Sequence, residues 1–297
     1  MPGSTRVIFA GLLWLAAAFN TRAGLAASLA AAIPRIQSEI AGSGAEVAVA
    51  FRTLDGRAQW SFHADEPFHA ASTMKVAVLI ELYAQVHQGK LRLEDGLTVR
   101  NEFHSVIDGS LFSLSPDDDS EKSLYLALGQ TRTLAELSDL MITVSSNLAT
   151  NLLIDKLGIA NIRRGIHAQG ADGMKVVRCL ADTKAFAQGV NNTTTARALA
   201  RLMDAIAQGR AVDRESSRRM NALLERQTFN EDIPAGLPPG TRVAHKTGEI
   251  THIHHDAAIA YTDRPFVLII LTRSTLSTAA SSALIADITR QLYEATR

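Results

Sequence analysis

Three short polar groups stand far apart in the chain and carry what acyl-transfer chemistry needs: Ser72-Thr73-Met74-Lys75, Ser145-Ser146-Asn147 and Lys246-Thr247-Gly248. A serine hydroxyl is a weak nucleophile until a base takes its proton. Lys75 follows Ser72 by three residues, about one helical turn, so a helical segment puts amine and hydroxyl on one face. An amine acts as base when its charged form is disfavoured, in a dry cleft or beside another cation. Ser72 therefore reads as a nucleophile and Lys75 as its base, or part of it. At a loop-to-helix junction the Ser72 N–H is also one of the first-turn donors without an intrahelical acceptor, suited to binding an oxyanion. Ser145 and Asn147 fall between two predicted helices, as befits a pair aimed across a cleft. Lys246 and Thr247 end a predicted strand, and Gly248 lets a substrate backbone approach closely. Each group alone has a plain alternative, such as a capping serine or asparagine beside a surface lysine. All three in order, each in a fitting local context, point to chemistry.

The elements that would position them are legible. Residues 25–41 predict a helix, kinked at Pro34. Glu46 to Thr53 alternates as a strand does, and Asp55-Gly56 turns it into a hairpin with residues 59–63. Residues 74–88 predict an apolar helix ended near Gly89. Residues 101–130 look irregular, and their run Asp117-Asp118-Asp119 reads as a solvated loop, with a calcium site the alternative. Thr133 and Glu136 form a capping-box pattern at the start of a helix. Helices are predicted over 147–157, closed by Gly158, over 193–208 and over 277–296, and strands over 242–247 and 266–272. This order implies an α/β (α+β) protein, with a discontinuous part at about 27–68 and 212–297 and an inserted helical part at about 69–211.

At 297 residues and 46% hydrophobic content the chain can bury a large core. Its formal net charge of zero gives no argument for nucleic acid or an anionic membrane surface as partner. Met1 to Arg6 is basic and residues 7–19 form an apolar run, short for a membrane span, followed by small residues. Residues 1–26 therefore read as a signal peptide cut after Ala23 or Ala26, and the protein as periplasmic or secreted; a retained anchor is the alternative. The lone Cys179 excludes an internal disulfide. His252-Ile253-His254-His255-Asp256 invites a zinc reading, because alternate strand residues share a face. Further ligands cannot be placed, so these histidines read as lining or supporting the cleft, with Asp256 as a structural partner. No metal and no cofactor are expected, and the protein is expected to be a monomer.

On these motifs the chain resembles the penicillin-recognising serine hydrolases, and most of all the class A β-lactamases. The segments ADEPFHAASTMKVAVLIELY, MITVSSNLATNLLIDKLG, NNTTTARALARLM and IPAGLPPGTRVAHKTG carry the resemblance over nearly all of the mature chain. It implies an antiparallel sheet flanked by helices plus a helical domain, with the site in the cleft between them. It further implies that Ser145 relays a proton to the departing nitrogen and Asn147 holds Lys75 and the substrate amide. Lys246 and Thr247 would bind a substrate carboxylate, and the Glu249 N–H would be the second oxyanion donor.

Three departures from the family pattern stand out. Ser146 replaces the usual Asp, at a position that does not face substrate. Glu249 replaces a small or hydroxyl residue and adds negative charge beside the carboxylate site. The family's Ω-loop glutamate, which activates the deacylating water, has no counterpart in residues 177–192, whose only carboxylate is Asp182. Asp182 either takes over that role or serves the loop's own structure, as an Asx turn or a bond to Lys184. The expected function is hydrolysis of β-lactams through an acyl-enzyme on Ser72. The rivals are a D-Ala-D-Ala peptidase acting on peptidoglycan-like substrates, an esterase, or a protein that binds β-lactams without turnover.

Overall fold

The computed structural model describes residues 8–297, with side chains from residue 24 onward. Of the expected signal segment, residues 1–7 lie outside the described residues, and the remainder runs into helix α1 (Ile8–Ser43), which includes both expected cleavage points. Among the described residues no helix is long and apolar enough to cross a membrane.

The frame is one five-stranded antiparallel sheet. Its strands are β1 (Glu46–Thr53), β2 (Gln59–Phe62), β3 (Arg242–Ile250), β4 (Ile253–Tyr261) and β5 (Phe266–Arg273), in the spatial order β2-β1-β5-β4-β3. The first and last segments of the chain thus meet in one sheet, where Glu46 pairs with Arg273 and Thr53 with Phe266. Side chains alternate across a strand, and β5 shows why its sequence FVLIILT has no polar face. Phe266, Leu268 and Ile270 pack with α1 and the terminal helix α9 (Thr278–Thr296), whereas Val267, Ile269 and Leu271 face the helices on the other side. Both faces are covered, so both sets must be apolar.

The second face carries α2 (Lys75–His87), entered through a 3₁₀ turn at Ala71–Met74. Nearly every residue of α2 is buried, including Leu79 and Leu82, which explains a sequence apolar all round. Helices α3 (Leu134–Thr143), α4 (Asn147–Leu157) and α5 (Ile159–Ala168) surround it. The expected capping box starts α3: the Thr133 N–H donates to Glu136 Oε2 at 2.7 Å, and the Glu136 N–H donates to Thr133 Oγ1 at 3.1 Å. Gly158 closes α4 at φ 82°, where a side chain would be strained. A short α6 (Thr183–Ala187) precedes α7 (Ala196–Ala207) and α8 (Arg214–Leu224). The threonines before α7 do not all join it. Thr193 and Thr194 pair as a two-residue strand with Phe68 and His69, and Thr195 caps the helix.

The histidine run does structural work on β4. His255 is fully buried, its Nε2 2.9 Å from the His69 carbonyl and its Nδ1 3.0 Å from the Thr272 N–H. A neutral ring donating at Nε2 and accepting at Nδ1 meets these two partners, with the His254 carbonyl a further neighbour 2.8 Å from Nδ1. Burial pushes its pKa down to about 4. A group bound less tightly to its proton in the folded state than in the unfolded chain stabilises the fold above the ordinary histidine value and loses that contribution as pH falls. For this one site about 2 kcal/mol is lost between pH 7 and pH 5. Urea unfolding at the two pH values should show this drop, and His255→Gln, less stable at pH 7, should lose most of it.

Candidate active site

The three sequence groups meet in one cleft of about 440 Å³, whose walls include Ser72, Ser145, Asn147, Thr247, Gly248 and Glu249. Ser72 lies in the 3₁₀ turn that leads into α2, and Lys75, three residues on, is the first residue of that helix. The Lys75 Nζ lies 2.7 Å from the Ser145 carbonyl, 3.1 Å from Ser145 Oγ and 2.9 Å from Asn147 Oδ1. A neutral amine has two hydrogens and one lone pair. With the hydrogens given to the Ser145 carbonyl and Asn147 Oδ1, the lone pair is left for a hydroxyl proton. Burial, and then the nearby Lys246 charge, holds the Lys75 pKa well below the ordinary lysine value, with Asp119 opposing.

Lys246 is the second buried amine. Its Nζ donates to the Thr247 carbonyl at 3.0 Å, and burial lowers its pKa to about 7 against the opposing charge of Asp256. Both lysines are fully enclosed by the fold.

Backbone shape completes the site. Ser145 sits at φ 60°, the left-handed region that non-glycine residues rarely adopt, which turns its carbonyl and hydroxyl toward Lys75. Ser146, the middle residue of that group, points away and is fully buried, its hydroxyl accepting from the Ala149 N–H to cap α4. Strand β3 is the sheet's edge, so its outer backbone groups have no strand beside them. The turn holding Ser72 packs there so tightly that a Cβ on Gly248 would lie 3.0 Å from the backbone nitrogens of Ser72 and Thr73.

A family model, the β-lactamase enzyme family, matches residues 30–296. The chain belongs to that family. It is a class A β-lactamase-like serine hydrolase. It is 28% identical to a β-lactamase of Streptomyces albus G over 260 residues, 85% of this chain and 80% of the relative. The β-lactamase FAR-1 of Nocardia farcinica is 28% identical over 249 residues, 80% and 74% of the two chains. Among solved structures, PBP-A is 29% identical with a TM-score of 0.77 and covers 88% of this chain and 94% of its own. A class A ancestral β-lactamase is 27% identical with a TM-score of 0.75, at 88% and 98% coverage.

Asp182 lies on the wall of a neighbouring cavity that also includes Ser72, but its carboxylate is not free. Oδ1 accepts from Ser105 Oγ at 2.9 Å and from the Ala185 N–H at 3.1 Å, and Oδ2 accepts from the Val106 N–H at 3.0 Å. The side chain caps α6 and ties residues 177–192 to the 105–106 turn. Lys184 bonds Asp108 at 2.8 Å rather than Asp182. Leu180, not a carboxylate, is the loop residue clamped to α4: its N–H donates to Asn151 Oδ1 at 2.7 Å and its carbonyl accepts from Asn151 Nδ2 at 2.9 Å.

The acidic run departs from the expected solvated loop. Asp118 is exposed, but Asp119 is buried and accepts from the N–H groups of Asn147 at 3.0 Å and Leu148 at 2.8 Å and from the Tyr125 hydroxyl at 2.9 Å. It anchors the first turn of α4, where orphan donors and the helix dipole favour a negative charge. Three adjacent aspartates gave no local sign of which would be enclosed. Gln227 was also missed. With its amide oriented to satisfy both ends, it donates to the carbonyls of Ile142 and Thr143 and accepts from Lys246 Nζ and the Thr247 N–H, joining the helical wall to β3.

Two outcomes follow for variants. Gly248→Ala should push β3 from the Ser72 turn and slow acylation on the order of 100-fold with the fold intact, measured as the second-order rate with a chromogenic β-lactam. Asp119→Ala should cost about 2 kcal/mol of stability in urea unfolding, because buried N–H donors of α4 lose their acceptor.

Proposed function

We propose that the protein is exported by its first 26 residues and opens β-lactam rings through an acyl-enzyme on Ser72. The contact between the Lys75 amine and the Ser145 and Asn147 oxygens, with Ser72 one turn away, carries this reading. Ser72 Oγ attacks the lactam carbonyl carbon, and Lys75 takes the hydroxyl proton. The N–H groups of Ser72 and Glu249 receive the negative oxygen. The C–N bond breaks as Ser145 passes a proton to the ring nitrogen. Lys246 and Thr247 hold the substrate carboxylate. Water then cleaves the ester and frees Ser72.

The last step is the slow one. Asp182 spends its oxygens on three donors, and the clamped Leu180 sets an apolar side chain in the cavity wall beside Ser72. Water there finds no free carboxylate on the 177–192 loop to take its proton, and Glu249, which also lines this cavity, is held through Oε1 by Thr278. The same observation favours a second reading, in which the natural substrate is a D-Ala-D-Ala peptide end or another ester-forming compound and β-lactams acylate the enzyme lastingly. A leucine-to-glutamate variant of PBP-A, a structure 28% identical to this chain with a TM-score of 0.78, was solved as an acyl-enzyme complex with penicillin G.

Intact mass of the protein with excess benzylpenicillin tests both readings. An adduct on Ser72 that forms and slowly clears while penicilloate accumulates is the expected result; a lasting adduct selects the second reading, and no adduct, or undiminished turnover by Ser72→Ala, overturns both. Leu180→Glu should clear the adduct at least about tenfold faster by placing a base near the ester. Asp182→Asn should clear it at the wild-type rate while lowering stability by about 1–3 kcal/mol, which would separate a loop-holding carboxylate from a water-activating one.

A further inference from the structure

The carboxylate end of the cleft has an unusual charge pattern. Asp118, Glu231 and Glu249 line the cleft as exposed carboxylates, Asp232 lines it as a buried one, and none of the described lining residues is arginine. Lys246 stands behind Thr247, and with a pKa of about 7 it is only partly charged at neutral pH. A carboxylate-bearing substrate entering here meets net negative charge unless another cation faces it.

His254 is the one other lining residue able to become a cation. It lies on β4 directly opposite Glu249 of β3, on the same face as Thr247. The residue is 9% exposed, and its two ring nitrogens have different lots. Nε2 is held by Asp232 Oδ1 at 2.8 Å and by Ser282 Oγ of α9 at 3.2 Å. Nδ1 is enclosed and has no hydrogen-bond partner, and the nearest acid oxygen, Glu249 Oε2, is 3.9 Å away. Glu249 itself is tethered through Oε1 by the Thr278 hydroxyl at 2.6 Å. A buried ring nitrogen fixed on one side and unpartnered on the other is poised for an acceptor supplied from the cleft.

We propose that His254, in its imidazolium form and oriented by Asp232, binds the carboxylate of the substrate through Nδ1–H, and that Glu249 competes with that carboxylate for the same proton. This rests on the assignment of Lys246 and Thr247 to the carboxylate end. It makes capture of anionic substrates dependent on pH. The charged groups acting on the ring are Asp232 from the loop before Ile233, Glu249 from β3, and Asp256 and His255 from β4, while Lys246 of β3 lies on the opposite face of that strand; α9 contributes the neutral Ser282, and β5 contributes Thr272, whose hydroxyl donates to the His254 carbonyl. Burial opposes the cation, but the Asp232 bond and charge, with Glu249 and Asp256, outweigh it and raise the His254 pKa above the ordinary histidine value. The imidazolium is present below that raised value and lost as pH rises through it. Affinity for a carboxylate should therefore fall with rising pH. Deprotonation of Lys246 acts in the same direction, so a variant is needed to separate the two.

The test uses the full chain carrying Ser72→Ala, which binds but cannot be acylated, and measures the Kd of benzylpenicillin and of its neutral methyl ester by calorimetry across about pH 5.5 to 8.5. The expected result is a Kd for the acid that weakens about tenfold or more with rising pH, and a Kd for the ester that does not. Adding His254→Gln should weaken acid binding about tenfold at the low end and flatten the profile to the Lys246 part; adding Glu249→Gln should tighten acid binding several-fold near neutrality. Should His254→Gln fail to fold, the exposed Glu249→Gln change decides alone. Unchanged acid binding in the variants, an equal response of the ester, or no binding of the acid at any pH overturns the proposal. Labelling of wild-type Ser72 is scored separately. Labelling with a flat pH profile overturns this inference and leaves the proposed function standing; pH-dependent binding without labelling does the reverse.

Discussion

Two lysine amines buried in one cleft are the constraint on which the rest of the structure depends. An ammonium taken out of water without a partner is costly, and two close together are more so. The fold meets this by lowering the pKa of both amines and by surrounding Lys75 with oxygens of Ser145 and Asn147. What makes the site expensive to build also disfavours the charged form of Lys75, as the proposed base requires. The same enclosure, and not the residue type, separates this lysine from the five on the surface.

Enclosure on this scale needs rigid walls from distant parts of the chain. One wall is the edge strand β3, held in place by its pairing with β4. The facing wall is the start of α4, whose first turn is pinned by Asp119 and whose Ser145 adopts an unfavoured backbone angle. Between them runs α2, buried on nearly all sides, so the turn holding Ser72 cannot drift. Gln227 bridges the two walls directly. Loss of any of these would act on chemistry through the position of groups that never touch substrate.

The loop of residues 177–192 shows the opposite balance. Its members serve the loop's own order: Asp182 as a helix cap, Asn192 as an acceptor for the N–H groups of Val177 and Arg178, Leu180 as the residue clamped by Asn151. A loop so satisfied is stable but offers no free base. In the proposed reaction, acylation and deacylation would thus draw on different parts of the fold.

Much of this was legible in the sequence. The order of elements, the capping box at Thr133, the Gly158 stop, the doubly buried strand β5 and the three groups around Ser72, Ser145 and Lys246 all follow from local chemistry and period, because each depends on neighbours a few residues away. Tertiary structure alone decided the rest. Which of three adjacent aspartates is buried, whether Asp182 is free or committed, which acid His254 takes and which carbonyl His255 meets depend on partners up to 186 residues distant. A side chain announces its hydrogen-bonding capacity in sequence, but the partner that uses it is set by packing, and in a buried site the partner determines the charge.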